Sequence, residues 1–178
     1  ACLDAALQGQ LERDERPLLQ ARLQSANGTN FEALALNDVV LQKTETGRML
    51  DFETQVNGRY VNTHAGDGIV VASATGSTAY ALSCGGPIVE PHLDVLVLAP
   101  ICPHTLTNVP LILPPDSRIE VVLRSAQDEV HVTVDGQVGL KLEAGDRVTV
   151  EKSERLVNLI APAGRDFFDV LRGKLKWG

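Results

Sequence analysis

Two dipeptides constrain this chain more than anything else in it: Asn57-Gly58 between residues 51–56 and 59–62, and Asp135-Gly136 between residues 130–134 and 138–142. A two-residue Asn-Gly or Asp-Gly connection between apolar-rich runs closes a β-hairpin, because both turn positions need positive φ. Punctuation of this kind recurs. Residues 118–123 alternate as Ile119, Val121, Leu123, and Glu143-Ala144-Gly145-Asp146 turns into residues 147–150. Residues 68–74 form a β-branched apolar run, and residues 95–99 are a dense apolar stretch that reads as a buried strand. Residues 16–24 and 31–43 also read as extended, with a turn at Asn27-Gly28 and a break at Asn37-Asp38. Short strands at this spacing predict a mainly β fold, a layered β-sandwich.

One segment departs from the strand pattern. Residues 77–84 follow Gly76 and precede Gly85-Gly86-Pro87. This predicts a short helix embedded among strands, with Thr75 or Ser77 as N-cap and Gly85-Gly86 as C-cap. Residues 166–175 carry helical spacing at Phe167, Val170 and Leu171, which predicts a tail helix packed on the domain. Residues 3–7 read as a helical piece stopped at Gly9. With no initiator Met and an opening that resembles a helix already under way, the chain reads as one portion of a longer protein.

The 178 residues fit a single domain with a sizeable core. A net charge of -7, without a Lys/Arg stripe, argues against nucleic-acid binding. No apolar run approaches the roughly 20 residues that span a bilayer, so no membrane partner is expected. Cys2, Cys84 and Cys102 are odd in number and lack CxxC spacing, which predicts a cytoplasmic setting without disulfides. His64, His92, His104 and His131 have no ligand spacing, so no metal site is expected from them.

The strongest local candidate for chemistry is Thr75-Gly76-Ser77-Thr78-Ala79-Tyr80, directly after the apolar run. A strand running through Gly into a helix start exposes free N–H groups to an anion or polar ligand. Thr75, Ser77 and Thr78 add hydroxyls, and Tyr80 adds an aromatic face. An ordinary helix cap at a tight turn explains the same residues. The segment is neither a Walker A loop nor a nucleophile elbow. Asn37-Asp38 interrupts an apolar stretch and needs polar partners, supplied by a bulge or by a ligand's hydroxyls. Asp67 before Gly68 is either a turn residue or an acceptor for a ligand donor. The hairpin turn accounts for Asp135 by itself.

In order and spacing, Asn37-Asp38, Asp67-Gly68-Ile69-Val70-Val71, Thr75 to Tyr80, Gly85-Gly86-Pro87-Ile88, Pro103-His104-Thr105-Leu106 and Val134-Asp135-Gly136-Gln137 resemble the NAD kinase family. The resemblance runs through nearly the whole chain. It implies the β-rich C-terminal domain of a two-domain enzyme, with residues 1–30 leading in from a preceding α/β domain. Such an enzyme transfers a phosphoryl group from ATP, or in some members polyphosphate, to the adenosine ribose 2′-hydroxyl of NAD, giving NADP. The implied cofactor is a divalent metal ion, Mg with ATP, and the implied assembly is a homodimer or homotetramer.

Site roles follow by position. Asn37 and Asp38 match an Asn-Glu pair on the ribose hydroxyls, with Asp38 the shorter substitute. Asp67 matches the Asp at the nicotinamide end. Thr75, Ser77, Thr78, Ala79 and Tyr80 match the helix start lining the NAD pocket, and Ser83 stands one turn further on. Asp135 and Gln137 match the hairpin near the nucleotide site. The family's Gly-Gly-Asp-Gly motif, whose Asp is the implied catalytic base, occurs nowhere in this sequence. The chain alone is therefore expected to hold NAD without transferring phosphate. Two other readings are a non-catalytic dinucleotide-binding module and a lipid kinase relative; no amphipathic basic helix supports the second.

Overall fold

The computed structural model describes residues 4, 7–9, 11–25, 28, 30–44, 48–125, 129–162, 164 and 166–177, with residues 138, 161 and 162 described by backbone alone. Among them, twelve strands form two six-stranded antiparallel sheets. The first sheet contains β1 (Leu11–Gln24), β2 (Asn30–Ala35), β4 (Leu50–Val56), β5 (Arg59–Gly66), β9 (Ile119–Leu123) and β12 (Arg147–Pro162), in the order β2-β1-β12-β9-β4-β5. The second contains β3 (Asp38–Lys43), β6 (Gly68–Ser73), β7 (Leu96–Ile101), β8 (Leu111–Leu113), β10 (Val130–Val134) and β11 (Gln137–Leu142), in the order β11-β10-β3-β6-β7-β8.

Both predicted hairpins form. Asn57 and Gly58 have φ of 52° and 73°, and Asp135 and Gly136 have 50° and 68°, as a type I′ turn requires. Alternation then sorts the side chains. Leu19, Phe52, Leu123 and Val150 of the first sheet meet Leu41, Ile69, Leu98 and Val132 of the second in the inter-sheet core. Burying each such side chain stabilises the fold by roughly 1.5–3 kcal/mol.

The second sheet is covered on its other face as well. Val40, Val70, Ala72, Val97 and Ala99 pack there with Ala81 and Val89. This explains why residues 68–73 and 96–101 read as continuous apolar runs: each is buried along its whole length. The cover includes the short helix α1 (Tyr80–Ser83). A second helix, α2 (Phe167–Leu175), is capped by the Asp166 carboxylate on the Asp169 N–H at 2.7 Å and buries Leu171.

Three features differ from the sequence reading. β1 begins at Leu11 rather than 16, and β12 runs to Pro162 rather than stopping at 150, because the two strands pair with each other from Leu11↔Pro162 onward. Residues 11–15 are largely polar on both sides, so no alternation signals this arm. Its register shifts between Pro17 and Leu19, where Pro has no N–H for the ladder. β8 is a three-residue edge strand that carries no sequence signal. The expected helical piece at 3–7 lies largely outside the described residues, as do Asn27 of the expected turn and Cys2.

Candidate functional site

β6 delivers the chain to the second sheet's outer face, and the Thr75 to Tyr80 segment turns there. It forms a 3-10 turn at Thr75–Thr78, and α1 starts only at Tyr80. The expected Thr75 or Ser77 cap does not form. Ser77 is fully buried, and its hydroxyl accepts from the Val89 N–H at 3.0 Å and contacts the Val89 carbonyl at 3.3 Å. That side chain staples the turn to the following loop rather than facing a ligand. Ser73 takes over the capping: its hydroxyl accepts from the Gly76 N–H at 3.1 Å and donates to the Leu36 carbonyl at 2.6 Å.

The C-cap forms as expected. Gly85, at φ 78°, donates to the Leu82 carbonyl, and Gly86 donates to the Ala81 carbonyl. These are the paired bonds of a Schellman motif.

Gly76 is required by a close approach. A Cβ there would lie 1.9 Å from the Asn37 carbonyl oxygen. The bare glycine lets the 3-10 turn rest directly on the Leu36–Asp38 backbone, which joins β2 to β3. Tertiary structure thus brings Asn37 and Asp38 beside the helix start, a pairing that spacing alone did not show.

Two groups of side chains result. The first surrounds Tyr80. The Asp38 carboxyl lies beside the Tyr80 backbone, and the Tyr80 hydroxyl donates to Gln42 Oε1 at 3.2 Å. Asp67 pairs with Lys43 Nζ at 2.6 Å. Burial pushes the Asp38 carboxyl above the ordinary carboxylate range, Tyr80 opposes this, and the Asp135 charge adds to it. Burial also raises the Tyr80 hydroxyl, with further contributions from Cys84, Cys102, Asp67 and Asp38. The Cys84 thiol is pushed up to about 11, mostly by burial. This face is rich in acceptors, and such a surface suits a ligand that presents hydroxyl or amide donors.

The second group lines a cleft of about 320 Å³ between the 3-10 turn and α2. Arg16 Nη1 donates to the Thr75 hydroxyl at 3.3 Å, and Lys174 Nζ donates to the Thr78 carbonyl and hydroxyl at 2.9 and 3.2 Å. His92 bridges Glu90 and Asp14 on the rim at 2.7 and 3.1 Å. Arg16 is also ion-paired with Asp14, and Asp14, Glu90 and Asp166 line the same cleft, so its cations face carboxylates as well as the two hydroxyls.

The remaining candidates take simpler positions. Ala79 is half-buried between the 3-10 turn and α1, Ser83 is exposed at the end of α1, and Gln137 is exposed at the start of β11. The Asp135 carboxylate is turned to the Leu36–Asp38 backbone: Oδ2 accepts from the Leu36 N–H at 2.7 Å, and Oδ1 accepts from Asn37 and Asp38 at 2.7 and 3.1 Å.

Sequence reasoning missed Gln42, Lys43, Arg16 and Lys174. A signal existed for Gln42, since strand alternation from Asp38 through Val40 places it on the same face. None existed for Arg16 and Lys174, whose partners lie 59 and 96 residues away. Among the described residues no group of three His, Cys, Asp or Glu is arranged to hold a metal ion. No helix among them is long and apolar enough to cross a membrane.

The profile of the ATP-NAD kinase C-terminal domain matches residues 36–161. The chain is 43% identical over 176 residues to an NAD kinase of Geotalea daltonii and 46% identical over 177 residues to one of Citrifermentans bemidjiense. Each match takes in 99% of this chain and 62% of the relative, so the chain spans less than two thirds of the curated relatives it matches. In structure it is similar to a yeast NADH kinase solved with NADH, with a TM-score of 0.91 and 25% identity over 99% of this chain and 54% of that one. It is also similar to an NAD kinase from Archaeoglobus fulgidus solved with ATP, with a TM-score of 0.78 and 30% identity over 98% of this chain and 64% of that one.

Proposed function

This chain belongs to the NAD kinase family, and from that premise we propose that it binds NAD and presents the adenosine ribose 2′-hydroxyl for phosphorylation by ATP or polyphosphate, yielding NADP. The observation that carries this reading is the convergence of Asp38, Asp67 and Tyr80 around the start of α1, with Asn37 held against Gly76.

In this reading the acceptor-rich face holds the sugar hydroxyls and the nicotinamide amide, and Tyr80 lies against a ring. At the neighbouring cleft the Thr75 and Thr78 hydroxyls, each accepting from a cation, donate to polar groups of the ligand. Ser83 and Gln137 border the bound dinucleotide, and Ala79 lets it approach the backbone. What these residues do is bind and orient. Phosphoryl transfer further requires stabilisation of the donor phosphates and a residue that orients or deprotonates the acceptor. The Gly-Gly-Asp-Gly motif for that step is not in this sequence, so the 178-residue chain binds without catalysis. The divalent ion enters with the nucleotide donor, and no step of the binding described here runs through it. The complete enzyme is a cytoplasmic homodimer or homotetramer.

Calorimetric titration of NAD into the chain, beside a variant carrying Asp67→Ala and Tyr80→Ala, tests the proposal. Saturable binding that is lost in the folded variant is expected. Equal binding by both proteins would remove the Tyr80 face from the pocket, and no binding by the folded wild type would overturn the proposal for this chain.

A further inference from the structure

The three successive amides of Leu36, Asn37 and Asp38 form a concave nest of the kind that receives an anion, and the Asp135 carboxylate fills it with three hydrogen bonds of 2.7, 2.7 and 3.1 Å. The Asp135 N–H in turn donates to the Asp38 carbonyl at 3.0 Å. The β10–β11 turn and the β2–β3 turn therefore interlock. The nest's carbonyls are held from the other side. Leu36 O accepts from the Ser73 hydroxyl, and Asn37 O accepts from the Ser73 N–H at 2.9 Å. A carboxylate with three bonds to backbone amides has little capacity left for a ligand.

We propose that Asp135 is a positioning residue that does not touch the dinucleotide: it sets the Leu36–Asp38 turn and, through Ser73, whose hydroxyl joins the Leu36 carbonyl to the Gly76 N–H, the 3-10 turn that leads into α1. This rests on the reading of the Tyr80 face as the NAD pocket, and it reassigns Asp135 within that pocket. Binding would then meet a preset arrangement, which avoids the cost of ordering these groups when the ligand arrives.

Asp135→Asn tests this. Asn tolerates the positive φ of the turn, yet it places an amide donor against at least one of the three N–H groups. The comparison variant is Asp146→Asn, whose carboxylate likewise serves a turn, accepting from the Glu143 N–H at 2.9 Å and the Ser25 hydroxyl at 2.8 Å, but on the first sheet. Two readouts are needed. Without ligand, amide exchange in Asp135→Asn is expected to speed up at Leu36, Asn37, Asp38 and also at Gly76, whose N–H is held by Ser73. With ligand, the Kd for NAD is expected to rise roughly ten- to a hundredfold, the worth of a hydrogen bond to a charged group, while Asp146→Asn binds as wild type does. An unchanged Gly76 amide, an unchanged Kd in Asp135→Asn, or an equal loss in Asp146→Asn would overturn the inference. A wild-type chain that binds no NAD would overturn the pocket reading instead, and the exchange of Gly76 would still decide the positioning role.

Discussion

Single residues in this chain repeatedly do structural tasks that their motif position disguises. Ser77 sits in the segment with the strongest ligand signal, yet its hydroxyl is consumed by Val89 inside the fold. His64 is buried, stacks on Phe52 with ring centroids 5.7 Å apart and contacts the Gly68 carbonyl at 3.3 Å. Burial holds its pKa below the ordinary 6.5, with the Gly68 contact and the Asp51 charge opposing. In the window below 6.5 the unfolded chain therefore binds a proton that the folded chain refuses, so stability falls as pH drops through it. Urea midpoints between pH 7 and pH 5 are expected to decline in the wild type and to decline less in His64→Gln. An equal decline in both proteins would place the pH sensitivity elsewhere.

At the scale of elements, the site depends on one close approach. The 3-10 turn can lie on the Leu36–Asp38 backbone only because Gly76 has no side chain. Judged by helix propensity, Gly76→Ala should stabilise the chain by up to about 1 kcal/mol. The backbone contact reverses the sign. A methyl group forced against a carbonyl has overpacking costs of roughly 1–3 kcal/mol or more, and here it also pushes α1 away from Asp38. Gly76→Ala is therefore expected to lower the urea midpoint and to weaken NAD binding. A more stable variant with intact binding would show that the turn does not rest on Asn37.

The whole molecule is unequally covered, and its stability should follow that inequality. β6 and β7 are buried on both faces, since the inter-sheet core lies on one side and α1 with Val89 on the other. β2 is an edge strand with alternating exposure. Native-state hydrogen exchange is thus expected to be slowest at Val70 and Val97, with free energies near the global value, and much faster in β2. Uniform protection across both sheets would mean that the outer cover adds nothing to the central strands. The site occupies the junction of these regimes: its floor is the best-protected sheet, and its walls are turns.

Local chemistry made much of this legible. The turn dipeptides announce both hairpins, because only a few residue types accept two consecutive positive φ angles. Dense apolar runs announce β6 and β7, because a strand covered on both faces has almost no polar side. Gly85-Gly86 announces the end of α1, and the ordered motifs announce the NAD kinase family. What remained hidden is pairing across the sheets and turns. Asp135 meets Leu36 across 99 residues, Arg16 meets Thr75 across 59, and Lys174 meets Thr78 across 96. Strand periodicity and turn propensity are properties of neighbouring residues, so the sequence by itself determines the elements and their buried faces. Which carboxylate fills which backbone nest, and whether a motif serine faces a ligand or the core, is decided only when the sheets pack and distant turns compete for the same hydrogen bonds.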